Sequence, residues 1–532
     1  ALTERFADTI RREYLAVGLR TALHPQIDLA TEPRWARTYA TFGSDVDVVS
    51  AHGVAYIRGL QGETLGAHSV SAMAKHFPGG GPQKDGEDPH FPYGREQVYP
   101  GGQFELHLEP FKAALAAGVS QIMPYYGMPS GTELEEVGFS FNRQVITGLL
   151  RERLGFDGIV CSDWGILSST PWGVEELTYE ERMLKALDAG IDQFGGESKT
   201  DVLVGLVRNG RLAEERVDQS ARRLLREKFV LGLFDNPFVD ASQADVIVGN
   251  SESRAAGLRA QGYAMTLLQN ATSGSATLPL RPDIKVYAEG ISEIALRQWA
   301  EPVSDPSDAD VAILRIDAPW EPRGKTGEME NFFRAGSLNF HDDFLEHLGD
   351  IASEVPTVLD IYLDRPVMLG QVTPLAASLT VNYGASDEAF LATVFGELEP
   401  QGRLPLEIPS SMDAVLASRT DVPDDTEEPT FSRGFGLSYP PRVPAVAPRT
   451  REEVLAQFQT SGRWSFDTDL VSDLLDDPVS RAALSTYLPD LLSSNLLSLL
   501  RPMTIAGMFK FVSGNVPAAQ LSSLRAELSA MK

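Results

Sequence analysis

At 532 residues the chain is too long for one ordinary hydrophobic core, and length alone gives roughly two to four domains. Its 43% hydrophobic and 23% charged residues are ordinary for a globular chain, and no run of about 18 apolar residues marks a membrane helix. Asp and Glu outnumber Lys and Arg by 74 to 46, and the net charge of -28 repels phosphate backbones and anionic lipids, so neither nucleic acid nor a membrane is an expected partner.

The chain opens in a helical pattern, with Phe6, Ile10, Tyr14 and Val17 recurring at spacings of three and four. No signal-peptide layout precedes it, so either targeting is absent or the true start lies upstream. Cys161 is the single cysteine, which rules out an internal disulfide and leaves the compartment open. Strand-like apolar runs near residues 20–29, 70–77, 120–126, 158–163 and 190–194 alternate with helical stretches, as in βα units. Polar or small residues stand at their C-terminal ends, where a (β/α)8 barrel builds its active site. Residues 1–240 thus read as a TIM-like barrel lacking its first strands, since five strands are visible where eight are expected. At the length of a βα unit, roughly 100 further residues upstream would complete it. A helical stretch over 203–233 closes this part, and Leu231-Gly232-Leu233-Phe234-Asp235-Asn236-Pro237 marks the boundary.

A linker helix is expected over 241–269. Short β-branched runs at 284–288, 311–316, 357–363 and 377–383, with helices near 344–354 and 386–395, then predict a second α/β layer domain over 270–440. A stiff Pro-rich linker follows from Pro440 to Pro448. Residues 441–532 read as helical, with a capping-box pattern at Thr450-Arg451-Glu452-Glu453 and a Leu-rich stretch from 470 to 500. It is expected to be a structural or oligomerisation appendage, since nothing titratable clusters there, and a homo-oligomer is one expectation.

Two segments carry the chemistry. Lys75-His76-Phe77-Pro78-Gly79-Gly80-Gly81 and Gly158-Ile159-Val160-Cys161-Ser162-Asp163-Trp164 are each an apolar run ending in polar groups. Each has a plainer alternative: Asp163 as a helix cap, Lys75-His76 as an ordinary surface pair or one that only supports other residues, and Trp164 as core packing. Asp28, in Pro25-Gln26-Ile27-Asp28, also ends a strand and reads equally as a cap. Gly79-Gly80-Gly81 lacks the Gly-Lys-Ser/Thr of a phosphate loop, and no His or Cys cluster has metal spacing, so neither metal nor cofactor is expected. Asn270-Ala271-Thr272 is a glycosylation sequon by composition only.

Lys75-His76-Phe77, Asp163-Trp164, Glu32-Pro33-Arg34-Trp35-Ala36-Arg37 and Arg433-Gly434-Phe435-Gly436-Leu437-Ser438-Tyr439 together resemble family 3 glycoside hydrolases, the β-glucosidase family, from near residue 1 to about 440. The resemblance implies a barrel followed by an α/β sandwich, a β-glucoside or short oligosaccharide as substrate, and a retaining mechanism with Asp163 as nucleophile. It further implies that Arg37, Lys75 and His76 bind sugar hydroxyls, that Tyr126 lies beside the nucleophile, and that Trp164 offers its face to the ring. The acid/base is then a Glu on a loop of the second domain: Glu321 first, with Arg323 to orient it, followed by Glu330 and Glu328. Asp88-Pro89-His90 is a rival, resembling the Asp-Ser-His dyad of the family's N-acetylglucosaminidases, with Pro in place of Ser. The family's aspartate for the distal hydroxyls falls upstream of Ala1, so a catalytically inactive sugar-binding protein is the alternative outside the enzymes.

Overall fold

The computed structural model describes residues 1–270, 277–324, 329–439, 471–488, 504 and 523–528. They belong to two compact units, one drawn from residues 1–320 and 335–442, the other from 321–334 and 443–532.

The first unit contains two large sheets, besides a short parallel pair of Glu96–Gln97 with Met128–Pro129. One has five parallel strands in sequence order: β1 Thr21–Ala22, β2 Ser71–Phe77, β3 Gln121–Pro124, β4 Ile159–Trp164 and β5 Gln193–Gly195. Side chains alternate along a strand, so each strand feeds two different layers. Ala72, Ala74, Ile122 and Val160 enter a large core with helices α1 Leu2–Ala16, α2 Val46–Gln61, α3 Phe104–Ala116 and α4 Tyr179–Ala189. Met73, Met123 and Cys161 on the opposite face form a separate buried cluster. At the strand starts the layer turns polar: Gln121 donates to Ser71 Oγ at 3.0 Å and to Glu227 Oε1 at 2.5 Å. At the strand ends lie Lys75, His76 and Asp163. The strands therefore carry polar, apolar and polar bands in turn, and the chemistry sits at their C-terminal ends, as in barrels.

The second sheet has six strands: β6 Thr266–Gln269, β7 Lys285–Glu289, β8 Glu301–Val303, β9 Val311–Asp317, β10 Thr357–Tyr362 and β11 Ser378–Asn382, in the order β8-β7-β9-β10-β11-β6. All pairs are parallel except the antiparallel β11–β6 pair. Its central strands read as continuous apolar runs because both faces are covered: Leu314, Leu359 and Ile361 enter one core, Ile313 and Val358 the other. The two sheets are tied within this unit. Ser44 N donates to Pro405 O at 3.0 Å, and buried Asp421 accepts from Gly101 N at 2.6 Å and Gln103 N at 2.7 Å. His107 Nε2 donates to the Asp421 carbonyl at 3.0 Å.

The structure departs from the sequence reading in several places. The helix expected over 203–233 is two, Thr200–Arg208 and α5 Glu214–Val230, because Gly210 takes a φ of +69° and turns the chain. The expected linker helix ends at Ala264, and Thr266–Gln269 is already a sheet strand. Phe6 and Val17 are more than half exposed; the buried residues of α1 are Ala7 and Ala16, with Ile10 and Tyr14 packed against the core. The strand expected near 20–29 is regular only at Thr21–Ala22. In the second unit, Val471–Asp476 and Pro478–Tyr487 are helical, the latter capped by Asp477 accepting from Ser480 N at 3.0 Å. The Pro440–Pro448 linker and the Thr450 capping box lie outside the described residues, as do residues 470 and 489–500 of the Leu-rich stretch. No described helix is long and apolar enough to cross a membrane.

Candidate active site

Asp163 ends β4, 8% exposed, with Oδ1 accepting from Trp164 N at 2.8 Å. Residues 165–169 turn rather than enter a helix, so the carboxylate caps nothing. Ser162 Oγ braces the strand end, donating to Asp163 O and accepting from Gly195 N, each at 2.9 Å.

Lys75 and His76 are not a surface pair. His76 is fully buried, and its backbone N and Nδ1 both bond to Asp28, at 3.1 and 3.0 Å. Asp28 is itself buried, and its Oδ1 also accepts from Gly80 N at 2.6 Å. Asp28 is thus no helix cap but the post on which the Lys-His loop is fixed. Burial lowers the His76 pKa, Asp28 pulls it back up, and Arg37 and Lys75 add to the drop. A neutral ring that donates Nδ1–H to Asp28 keeps Nε2 as an acceptor. That nitrogen lies 3.4 Å from an Arg37 guanidinium nitrogen and 4.0 Å from Asp163 Oδ2. Burial also lowers the Lys75 pKa, with Arg37 adding to the drop and the charges of Asp163 and Asp28 opposing it.

Arg37 is half-buried and donates to Gln26 Oε1 at 3.2 Å. Burial works against its charge, but Asp88, Tyr39, Tyr125 and Asp163 together raise its pKa. Trp35, two residues earlier, is buried and donates Nε1–H to Tyr125 Oη at 3.3 Å, fixing the segment that delivers Arg37. Tyr126 donates its hydroxyl to the Trp164 carbonyl at 2.6 Å; burial and the neighbouring Asp163 charge push its pKa up. Trp164 is 46% exposed, which removes the core-packing alternative. One face of the indole lies against Gly195 and Gly196, where a Cβ would stand 2.6 Å from ring carbons.

The rival dyad is present as well. Asp88 is buried, its Oδ1 lies 2.5 Å from His90 Nδ1 and accepts from His90 N at 2.9 Å, and the His90 ring sits 4.6 Å from that of Tyr126. Trp172 Nε1 donates to Pro89 O at 2.7 Å, anchoring this loop on the same side as Tyr126. The first unit therefore gathers Arg37, Lys75, His76, Tyr126, Asp163, Trp164, Asp88 and His90 into one neighbourhood. The acid/base candidates belong to the second unit: Glu321, its side chain 46% exposed, accepts from Arg323 at 3.2 Å, and Glu330 sits in a short 3-10 turn, Met329–Phe332. Glu328 lies outside the described residues. Sequence reasoning left Asp28 undecided and passed over Gln26 and Tyr125; the pairing of Asp28 with a histidine 48 positions away has no local signature.

The chain matches the glycosyl hydrolase family 3 N-terminal domain over residues 2–227 and the glycosyl hydrolase family 3 C-terminal domain over residues 237–439. It is 48% identical over 449 residues to a probable β-glucosidase C of Aspergillus flavus, covering 82% of this chain and 70% of that one. It is 38% identical over 467 residues to a periplasmic β-glucosidase/β-xylosidase of Dickeya chrysanthemi, covering 82% and 71%. Among solved structures, an exo-1,3/1,4-β-glucanase from a Pseudoalteromonas species superposes with a TM-score of 0.70 at 23% identity, over 84% of this chain and 79% of that one. The β-glucosidase of Listeria innocua in complex with isofagomine gives 0.68 at 20% identity, over 82% and 69%. Fold and sequence agree on one class, the glycoside hydrolases, and the chain belongs to family 3 of them.

Proposed function

We propose that the chain is a retaining β-glucosidase that removes terminal non-reducing β-D-glucosyl residues from short β-glucosides, with Asp163 as the nucleophile. The observation that carries this reading is a nearly buried carboxylate on a rigid strand end, facing His76 Nε2 at 4.0 Å and in the field of Lys75 and Arg37. The named activities of the relatives from Aspergillus flavus and Dickeya chrysanthemi support the substrate class.

In the first step Asp163 Oδ2, the oxygen not held by the Trp164 amide, attacks the anomeric carbon. The bond to the aglycone oxygen breaks, and that oxygen takes a proton from the acid. In the second step water attacks the glycosyl-enzyme, the same residue takes the water's proton, and the bond to Asp163 breaks to free the sugar. His76, Lys75 and Arg37 orient the hydroxyls, and the exposed face of Trp164 receives the pyranose ring. A retaining pair works at about 5 to 5.5 Å, and Glu321 is the first choice for the acid, then Glu330 and Glu328.

Asp163→Ala is expected to abolish hydrolysis of an aryl β-glucoside with the melting temperature retained, and a 2-deoxy-2-fluoro-β-glucoside to label the Asp163 peptide in the wild type. Hydrolysis unchanged in Asp163→Ala overturns the assignment. A second reading, an N-acetylhexosaminidase using Asp88 and His90, is favoured by the 2.5 Å contact of that pair and by the packing of His90 on Tyr126. Comparing aryl glucoside with aryl N-acetylglucosaminide separates the two; preference for the latter, lost in His90→Ala, selects the dyad.

A further inference from the structure

Arg365 lies three residues beyond β10, in Leu363-Asp364-Arg365-Pro366, and is 1% exposed. Burying a guanidinium costs heavily unless its donors are satisfied, so such a group demands a reason. Asp364 Oδ1 lies 3.9 Å from its Nε, and its other guanidinium nitrogens donate to three main-chain carbonyls from distant parts of the chain: Pro319 O at 2.8 Å, Gly336 O at 3.2 Å and Arg34 O at 3.3 Å.

Those three carbonyls share a logic. Pro319 stands just before, and Gly336 just after, the segment 321–334 that carries Glu321, Glu328 and Glu330. One side chain therefore holds both stems of that segment together. The third partner, Arg34, belongs to Pro33-Arg34-Trp35-Ala36-Arg37, the stretch that delivers Arg37 to the neighbourhood of Asp163. A carbonyl on each stem and a third on the Arg37 stretch tie three separated stretches of the first unit to one side chain. Only a planar group with several N–H donors reaches three carbonyls in this way; a lysine ammonium is a compact point charge on a flexible stem.

We propose that Arg365 is a positioning residue for the acid/base step, holding Pro319 and Gly336, the first-unit residues that flank the segment 321–334, to the stretch that delivers Arg37. This rests on the reading above that a Glu of that segment is the acid/base. A misplacement near 1 Å costs on the order of 100-fold in a reaction that needs the displaced group. The cost falls only on steps that need the acid, so substrates whose leaving group departs unprotonated are spared most of it.

The experiment compares Arg365→Lys and Arg365→Gln with the wild-type chain on a series of aryl β-glucosides, from 2,4-dinitrophenyl to 4-methoxyphenyl, together with thermal melting. The expected result is a loss of about threefold on the dinitrophenyl substrate and roughly 30- to 100-fold on the methoxyphenyl one, so that the rate depends more steeply on leaving-group pKa. Tryptic cleavage after Arg323 is expected to speed up in both variants. An equal loss on every substrate, no loss on any, or failure of both variants to melt cooperatively overturns the proposal and leaves Arg365 a residue of the fold alone. Glu321→Gln, Glu330→Gln and Glu328→Gln run beside them. If one of these shows the steepened dependence and the Arg365 variants do not, only the clamp fails; if none does, the acid/base reading fails.

Discussion

Asp28→Asn isolates what the buried carboxylate contributes to His76. Both backbone bonds, from His76 N and Gly80 N, end on Oδ1, so a replacement asparagine with its carbonyl in that place keeps them. Only the contact of Oδ2 with Nδ1 must change. An amide NH2 there donates, so Nδ1 has to accept, and the ring proton moves to Nε2. That nitrogen now presents a hydrogen toward the Arg37 guanidinium at 3.4 Å, where an acceptor stood before. Losing a hydrogen bond to a charged group is worth about 1.5 to 3 kcal/mol. Expressed as a rate through the Asp163 site, this is roughly a 10- to 150-fold drop in kcat/KM on an aryl β-glucoside. Stability has its own signature. The Asp28 pKa is lowered: burial raises it, but the charge and bond of His76 and the amides of Gly80 and His76 outweigh burial. Its contribution is therefore full above about pH 4 and is lost as pH falls through the depressed folded value. Urea denaturation of both proteins between pH 7 and pH 3 should show the stability gap closing in acid. A variant within twofold of wild-type kcat/KM, or a gap that widens in acid, refutes the reasoning.

Other outcomes follow from the same geometry. Gly196→Ala places a Cβ 2.6 Å from the Trp164 ring at a residue with φ +67°, so it should tilt the indole, raise KM for glucosides about tenfold and shift the tryptophan emission. Glu227 is the opposite of Asp28: burial raises its pKa over the bonds from Ser71 and Gln121. Its stabilising effect is present below the unfolded value and lost as pH rises, so Glu227→Gln should melt above the wild type at pH 8, by about 1 to 2 °C, with the difference vanishing near pH 4. Asp421→Ala loses two amide bonds to a buried carboxylate and should destabilise the chain by about 2 to 4 kcal/mol in a denaturant titration.

Much of the site was legible because its parts are local. Lys75-His76 and Asp163-Trp164 each end an apolar strand run, and a strand end projects its residues in a direction that the run itself reveals. Contacts across sequence were not legible. Asp28 reads as a cap from its neighbours alone, and only the chain path that brings Gly80 and His76 over it shows its partners. Arg365 carries no pattern for its distant contacts, since the acceptors it reaches there are main-chain carbonyls, identical at every residue. Within elements, periodicity located α1 but mistook its buried face, because a moment does not say where the neighbouring helix lies. The strand Thr266–Gln269 was too short to separate from the helix before it.

The Asp421 tie has a consequence for how the chain is made. Gly101 N and Gln103 N, two amides of the turn that leads into α3, are satisfied by a side chain 320 and 318 positions further on. At a synthesis rate of about 5 to 20 residues per second, the ribosome delivers that carboxylate roughly 15 to 60 seconds after the helix has emerged. During that interval the turn that leads into α3 lacks this carboxylate, and its two amides are left to water, so the nascent barrel face beside it is more open to proteases and to premature association. A translational pause placed before Asp421 would lengthen this exposure, one placed after it would not, so the yield of folded protein should depend on codon speed over the sandwich half more than over the barrel half.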